Sequence, residues 1–173
     1  MILETFAPKQ FQGKYCLSPF VMIEVTTSGD VRMCGCGSWM PTTIGNLTET
    51  TLQDMLESEL ASNIRKSIID GSYTFCNEKL CGVIANNSLN TIDTVPPNIK
   101  ALFDDPAKFE MPHHISFQGD ATCNLSCPSC RTKIIKTPKE QQAEQLRIGQ
   151  LVSNNLFSEP SDNKIKLETS GTG

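Results

Sequence analysis

Cys123, Cys127 and Cys130 stand in one short run, Cys123-Asn124-Leu125-Ser126-Cys127-Pro128-Ser129-Cys130. Their thiolates are close enough in sequence to converge on a single metal centre. Three is an informative number. Closed structural zinc sites and electron-transfer clusters use four protein ligands, whereas three leave one iron open to bind a small molecule. The competing assignment is a zinc knuckle completed by His113, His114 or a cysteine from the first half of the chain, although both histidines read as surface residues. Five further cysteines, Cys16, Cys34, Cys36, Cys76 and Cys81, lie in the first half. Eight in all, in a chain whose start from Met1 to Gln10 has no secretion signal, favour metal binding or redox chemistry over disulfides. Their grouping makes two sites more natural than one.

The elements that must position these cysteines follow from apolar spacing and turn residues. Phe20 to Thr26 and Val31 to Cys34 read as the two strands of a hairpin around Ser28-Gly29-Asp30, with Gly29 at the point where a tight turn tolerates no Cβ. Leu52, Met55, Leu56, Leu60, Ile64 and Ile68 recur at threes and fours, which predicts one amphipathic helix over 51–69, capped by Thr50 and Gln53 and ended by Asp70-Gly71. Residues 86–112 carry Asn87-Ser88, Val95-Pro96-Pro97 and Asp104-Asp105-Pro106 and read as a linker. Beyond it, Ile115 and Phe117 begin a strand that runs into the three-cysteine segment. Thr137-Pro138-Lys139-Glu140 opens a helix to about Asn154, and Ile165 and Leu167 alternate with charged residues as a second strand. The second half is therefore expected to be a βαβ unit.

The formal net charge of -4 and the lack of a basic block argue against nucleic acid as a partner. No apolar run approaches the roughly 20 residues that span a bilayer, so the expected address is the cytoplasm, with no membrane partner. A complete barrel of βαβ units takes on the order of 200 residues or more. The chain is accordingly expected to be a fragment, inactive by itself.

The C-x3-C-x2-C spacing of Cys123, Cys127 and Cys130, after a strand and before a capped helix, resembles the signature of the radical S-adenosylmethionine (SAM) superfamily. The resemblance implies that these cysteines hold a 4Fe-4S cluster whose open iron chelates the amino and carboxylate groups of SAM. One electron then cleaves SAM to methionine and a 5'-deoxyadenosyl radical, which abstracts hydrogen from a substrate. Ser170-Gly171-Thr172-Gly173 resembles the glycine-rich segment that contacts the SAM amino group. One departure is Ser129, where many members carry an aromatic residue. In the first half, Cys16, Gly29 and Cys34, then Ile44-Gly45-Asn46-Leu47, Ile64-Arg65-Lys66-Ser67-Ile68, Asp70-Gly71-Ser72-Tyr73, Cys76 and Cys81 resemble a SPASM or shorter twitch domain. That match implies Cys16, Cys34, Cys76 and Cys81 as ligands of one auxiliary 4Fe-4S cluster, with Cys36 either replacing Cys34 or standing as a spare thiol. Zinc with the same four sulfurs is the alternative there, and a non-catalytic zinc or iron-sulfur binding module is the alternative for the whole chain. Trp39 and Tyr73 read as packing residues.

The fold implied is an α+β SPASM-like domain over 1–85, a linker over 86–112, and over 113–173 the first βαβ unit of an incomplete α/β, partial TIM-type barrel. The implied partners are SAM, an electron donor such as a flavodoxin or ferredoxin, and a peptide, protein or small-molecule substrate.

Overall fold

A computed structural model describes residues 11–105, 112–117, 136, 138–157 and 166–169. A short strand, β1 (Lys14–Tyr15), leads past Cys16 into one helical turn, α1 (Ser18–Val21). Phe20 belongs to this turn and not to the hairpin strand. Pro19 sits in the first turn, where a missing N–H costs nothing, and the Phe20 N–H donates to the Leu17 carbonyl at 3.0 Å.

The expected hairpin forms from β2 (Met22–Val25) and β3 (Asp30–Arg32), paired antiparallel with Glu24 opposite Arg32. Gly29 turns the chain with φ +86°, its N–H donating to the Thr26 carbonyl. β4 (Gly45–Asn46) lies along β3, and the Asn46 side-chain amide donates to the Ser28 carbonyl and to Asp30 Oδ1. β4 is thereby tied to the tip of the hairpin.

The stretch 51–69 forms two helices, α2 (Leu52–Glu57) and α3 (Glu59–Ile69). Ser58 adopts extended backbone between them and caps α3, its hydroxyl accepting from the Ala61 N–H. The break lets Arg65 fold back: its guanidinium donates to the Leu56 carbonyl at 2.9 Å, one of the acceptors that the end of α2 leaves without a helical partner. The cap of α2 is Thr51, which accepts from Asp54 N–H and donates to its carboxylate, and not Thr50 with Gln53. Gln53 instead bonds to Glu57 one turn on. As expected, α3 stops at Asp70 and Gly71, the latter at φ +76°.

Within the expected linker 86–112, residues 86–105 carry structure of their own. α4 (Gly82–Ala85) is followed by β5 (Asn90–Thr91), which pairs with β1, a 3-10 turn (Ile92–Thr94) and α5 (Pro97–Asp104). Pro97 starts that helix rather than excluding it, and Ile99 and Leu102 bury the face it turns inward. Beyond, β6 (His114–Phe117), α6 (Lys139–Phe157) and β7 (Lys166–Thr169) make the expected βαβ unit, with β6 and β7 parallel. β6 also pairs in parallel with β2, Ile23 facing Ile115, so one sheet of order β4-β3-β2-β6-β7 takes strands from either side of residues 86–112.

Two apolar groups hold this arrangement. One packs Ile23, Val25, Val31 and Ile115 of the sheet against Met55, Ile64, and Ile148 and Val152 of α6. The other gathers Phe11, Tyr15, Phe20, Ile68, Tyr73, Ile99 and Leu102. α6 also reaches α2 by a polar contact, Asn155 Oδ1 accepting from the Leu52 N–H at 3.0 Å. Among the described residues no helix is long and apolar enough to cross a membrane.

Candidate metal centre

Four cysteines from four places in the chain each belong to, or pack against, one of the two apolar groups, Cys34 the first and Cys16 and Cys81 the second, with Cys76 against both. Cys16 stands between β1 and α1, and Cys34 follows β3. Cys76 lies in the loop after α3, and Cys81 is the N-cap residue of α4. Trp39 and Cys76 pack against both apolar groups, which marks the seam. Cys16, Cys34 and Cys81 all act electrostatically on Cys76, and Cys16 and Cys81 on Cys34.

Backbone turns aim donors at these sulfurs. The N–H groups of Gly35 and Cys36 favour the thiolate of Cys34, and the N–H and hydroxyl of Ser18 favour that of Cys16, but burial outweighs both. Burial, reinforced by the neighbouring thiols, pushes Cys34 up to about 11 and Cys76 up to about 12, and it raises Cys16 as well. Four such thiolates, two buried and two half-buried, would repel one another, and a bound metal cation would supply the positive charge that reverses this and keeps them deprotonated. The donor set, all sulfur with N–H and O–H groups directed at it, therefore suits a thiophilic metal group.

Among the described residues no three histidine, cysteine or carboxylate side chains close on a point that would hold a single ion. Cys36 enters this site through its backbone: its N–H serves Cys34, and its carbonyl accepts from Trp39 and Met40.

Cys123, Cys127, Cys130 and the segment Ser170, Gly171, Thr172 and Gly173 lie outside the described residues, as does the expected cap Thr137. His114 is half-buried in β6, in register with Met22 and Lys166. Ser18 is a site residue that pattern reading missed. The Cys-x-Ser spacing was visible, but the helical turn that carries Ser18 was not foreseen, since Phe20 was read as the start of a strand.

Residues 16–82 match the model of the SPASM family, an iron-sulfur cluster-binding domain. The match begins on Cys16, takes in Cys34, Cys76 and Cys81, and ends inside α4. Iron-sulfur binding is the property it supports for this segment. No curated protein and no solved structure matches the chain.

Proposed function

We propose that Cys16, Cys34, Cys76 and Cys81 hold an auxiliary 4Fe-4S cluster in a radical SAM enzyme. On this reading Cys123, Cys127 and Cys130 hold a second 4Fe-4S cluster whose open iron takes SAM, with Ser170, Gly171, Thr172 and Gly173 against its amino group. The observation that carries the first part is the similarity of residues 16–82 to an iron-sulfur cluster-binding family, in a segment whose buried or half-buried thiols Cys16, Cys34, Cys76 and Cys81 act electrostatically on one another. Bound there, a cluster would store and pass single electrons. The chain's own part is to bury the site, to direct the N–H groups of Gly35 and Cys36 at one ligand, and to direct both donors of Ser18 at another.

Support for the second part is topological. β2, β6 and β7 run parallel, and ligands of parallel α/β sheets bind beyond the carboxyl ends of the strands. The three-cysteine segment follows Phe117, the carboxyl end of β6, whereas Cys34 leaves β3 beside the amino end of β2, where a Cβ on Gly35 would meet Met22. The carboxyl ends of β6 and of β3 thus lie at opposite ends of β2, which suits two separate centres. A flavodoxin or ferredoxin would be the reductant, and a peptide, protein or small molecule the substrate.

The test is the iron and acid-labile sulfide content of the anaerobically reconstituted chain and of its Cys123→Ala, Cys127→Ala, Cys130→Ala triple variant. Two sites predict loss of about four irons with their sulfide in the variant and retention of a similar amount. Zinc without sulfide would replace this reading with a structural metal module.

A further inference from the structure

Tyr73 is the one described tyrosine whose hydroxyl is buried with no hydrogen-bond partner, and the residue is 1 % exposed. Its backbone stands at φ +49°, a left-handed conformation unusual for a bulky side chain. The chain holds it there from both sides: the Tyr73 N–H donates to the Ser67 carbonyl, and the Tyr73 carbonyl accepts from the Cys76 N–H, each at 2.9 Å. The ring packs on Phe11 with centroids 4.9 Å apart. Phenylalanine would fill the same space without leaving a donor unsatisfied in the interior. Tyr73 shares its apolar group with Cys81, and Cys16 and Cys76 pack against that group, so all three thiols act electrostatically on the phenol. A protonated thiol is a weak acceptor, whereas a metal-bound thiolate or inorganic sulfide carries negative charge and accepts well. The orphaned donor and the gathered sulfurs therefore complete one another only when the site is loaded.

We propose that the Tyr73 hydroxyl donates a hydrogen bond to a sulfur of the iron-sulfur cluster held by Cys16, Cys34, Cys76 and Cys81, and so raises its reduction potential. Hydrogen bonds to sulfur stabilise the more negative, reduced state, which sets the sign. Tyr73 is a tuning residue and not a ligand. The inference rests on the proposed assignment of that cluster.

The experiment compares Tyr73→Phe with its parent, both in the full chain carrying Cys123→Ala, Cys127→Ala and Cys130→Ala so that one cluster is observed. Iron and sulfide are measured first, then the midpoint potential by redox titration followed by electron paramagnetic resonance. Equal cluster content is expected, with the reduced state disfavoured about tenfold in Tyr73→Phe, a potential lower by about 59 mV for one electron. The metal-free variant should melt no lower than its metal-free parent, because it loses an unsatisfied donor. Equal cluster content with an unchanged potential would overturn the inference and leave the cluster assignment standing. A metal-free variant of reduced stability, or one that no longer takes up iron, would overturn it too, by giving the hydroxyl a structural or assembly role. A parent without iron and sulfide would overturn the cluster assignment and the inference with it.

Discussion

Replacing Gly29 with alanine tests whether the hairpin and α6 are packed as one body. At φ +86° an L-residue bears the left-handed strain of about 1–2 kcal/mol. The new Cβ would also sit 3.0 Å from both Asn46 Oδ1 and Ile148 Cδ1. The isoleucine methyl is the free end of a side chain and gives way, but Asn46 is held by four hydrogen bonds. Its amide donates to the Ser28 carbonyl and to Asp30, and its oxygen accepts from the Thr48 N–H and hydroxyl. Overpacking of this kind costs about 1–3 kcal/mol. The alanine recovers about 0.4–1 kcal/mol by narrowing the unfolded ensemble. A net loss of about 2–3 kcal/mol follows, or roughly 5–10 °C in Tm for a chain of this size. Gly13→Ala is the matched control, since Gly13 has φ +70° and nothing within 4 Å of its Cβ position, so it carries the strain alone. The assay is thermal unfolding of the metal-free chain by circular dichroism. If Gly29→Ala melts no lower than Gly13→Ala, the wall made by Asn46 and Ile148 is absent and the packing of α6 on the hairpin is wrong.

Two further expectations concern local polar chemistry. Hydrogen bonds from Ser28 first and Asn46 second hold the Asp30 carboxyl below its ordinary range. A depressed carboxyl stabilises the fold above its unfolded value of about 3.9 and loses that contribution as pH falls through the lower folded value. The stability gap between wild type and Asp30→Asn, measured by urea unfolding, should therefore be full near neutrality and close below about pH 4; a gap independent of pH would refute this origin. Thr51→Ala should cost about 1 kcal/mol through loss of the α2 cap, against less than about 0.5 kcal/mol for Thr50→Ala, and equal effects in denaturant melts would count against the observed cap.

Elements governed by neighbours in the chain were legible in order and kind. The Gly29 turn, the stop at Asp70-Gly71 and the strand–helix–strand succession after residue 112 depend on local backbone preference and apolar period, and each formed where those signals stand. Local reading misjudged two stretches in which tertiary partners decide between acceptable conformations. Helix 51–69 has an unbroken apolar stripe, but Ser58 can cap a new helix and the broken form satisfies the Leu56 carbonyl with Arg65. The Pro96-Pro97 pair reads as a break until Ile99 and Leu102 find the apolar group of Phe20 and Tyr73 to bury against.

For the candidate metal centre, residue type and spacing by themselves determined that thiols would do the chemistry and that they fall into two groups, because no other side chain offers so many soft donors at such spacing. Which thiols meet is a matter of the path between them. Cys16 and Cys34 are separated by α1 and the hairpin, and Cys34 and Cys76 by β4, α2 and α3, so residue type and spacing alone do not say which of them share a centre, and the four were named by family resemblance. The packed fold decided what surrounds them: that Ser18 acts on Cys16, that Gly35 and Cys36 act on Cys34, and that a tyrosine with the packing volume of phenylalanine leaves an unsatisfied hydroxyl in the apolar group that Cys16, Cys76 and Cys81 share. The parallel joining of β2 to β6 was beyond reach of the sequence for the same reason. Register between strands some ninety residues apart is set by which apolar faces cover each other, Ile23 and Ile115 beneath Ile148, and no local signal encodes that choice.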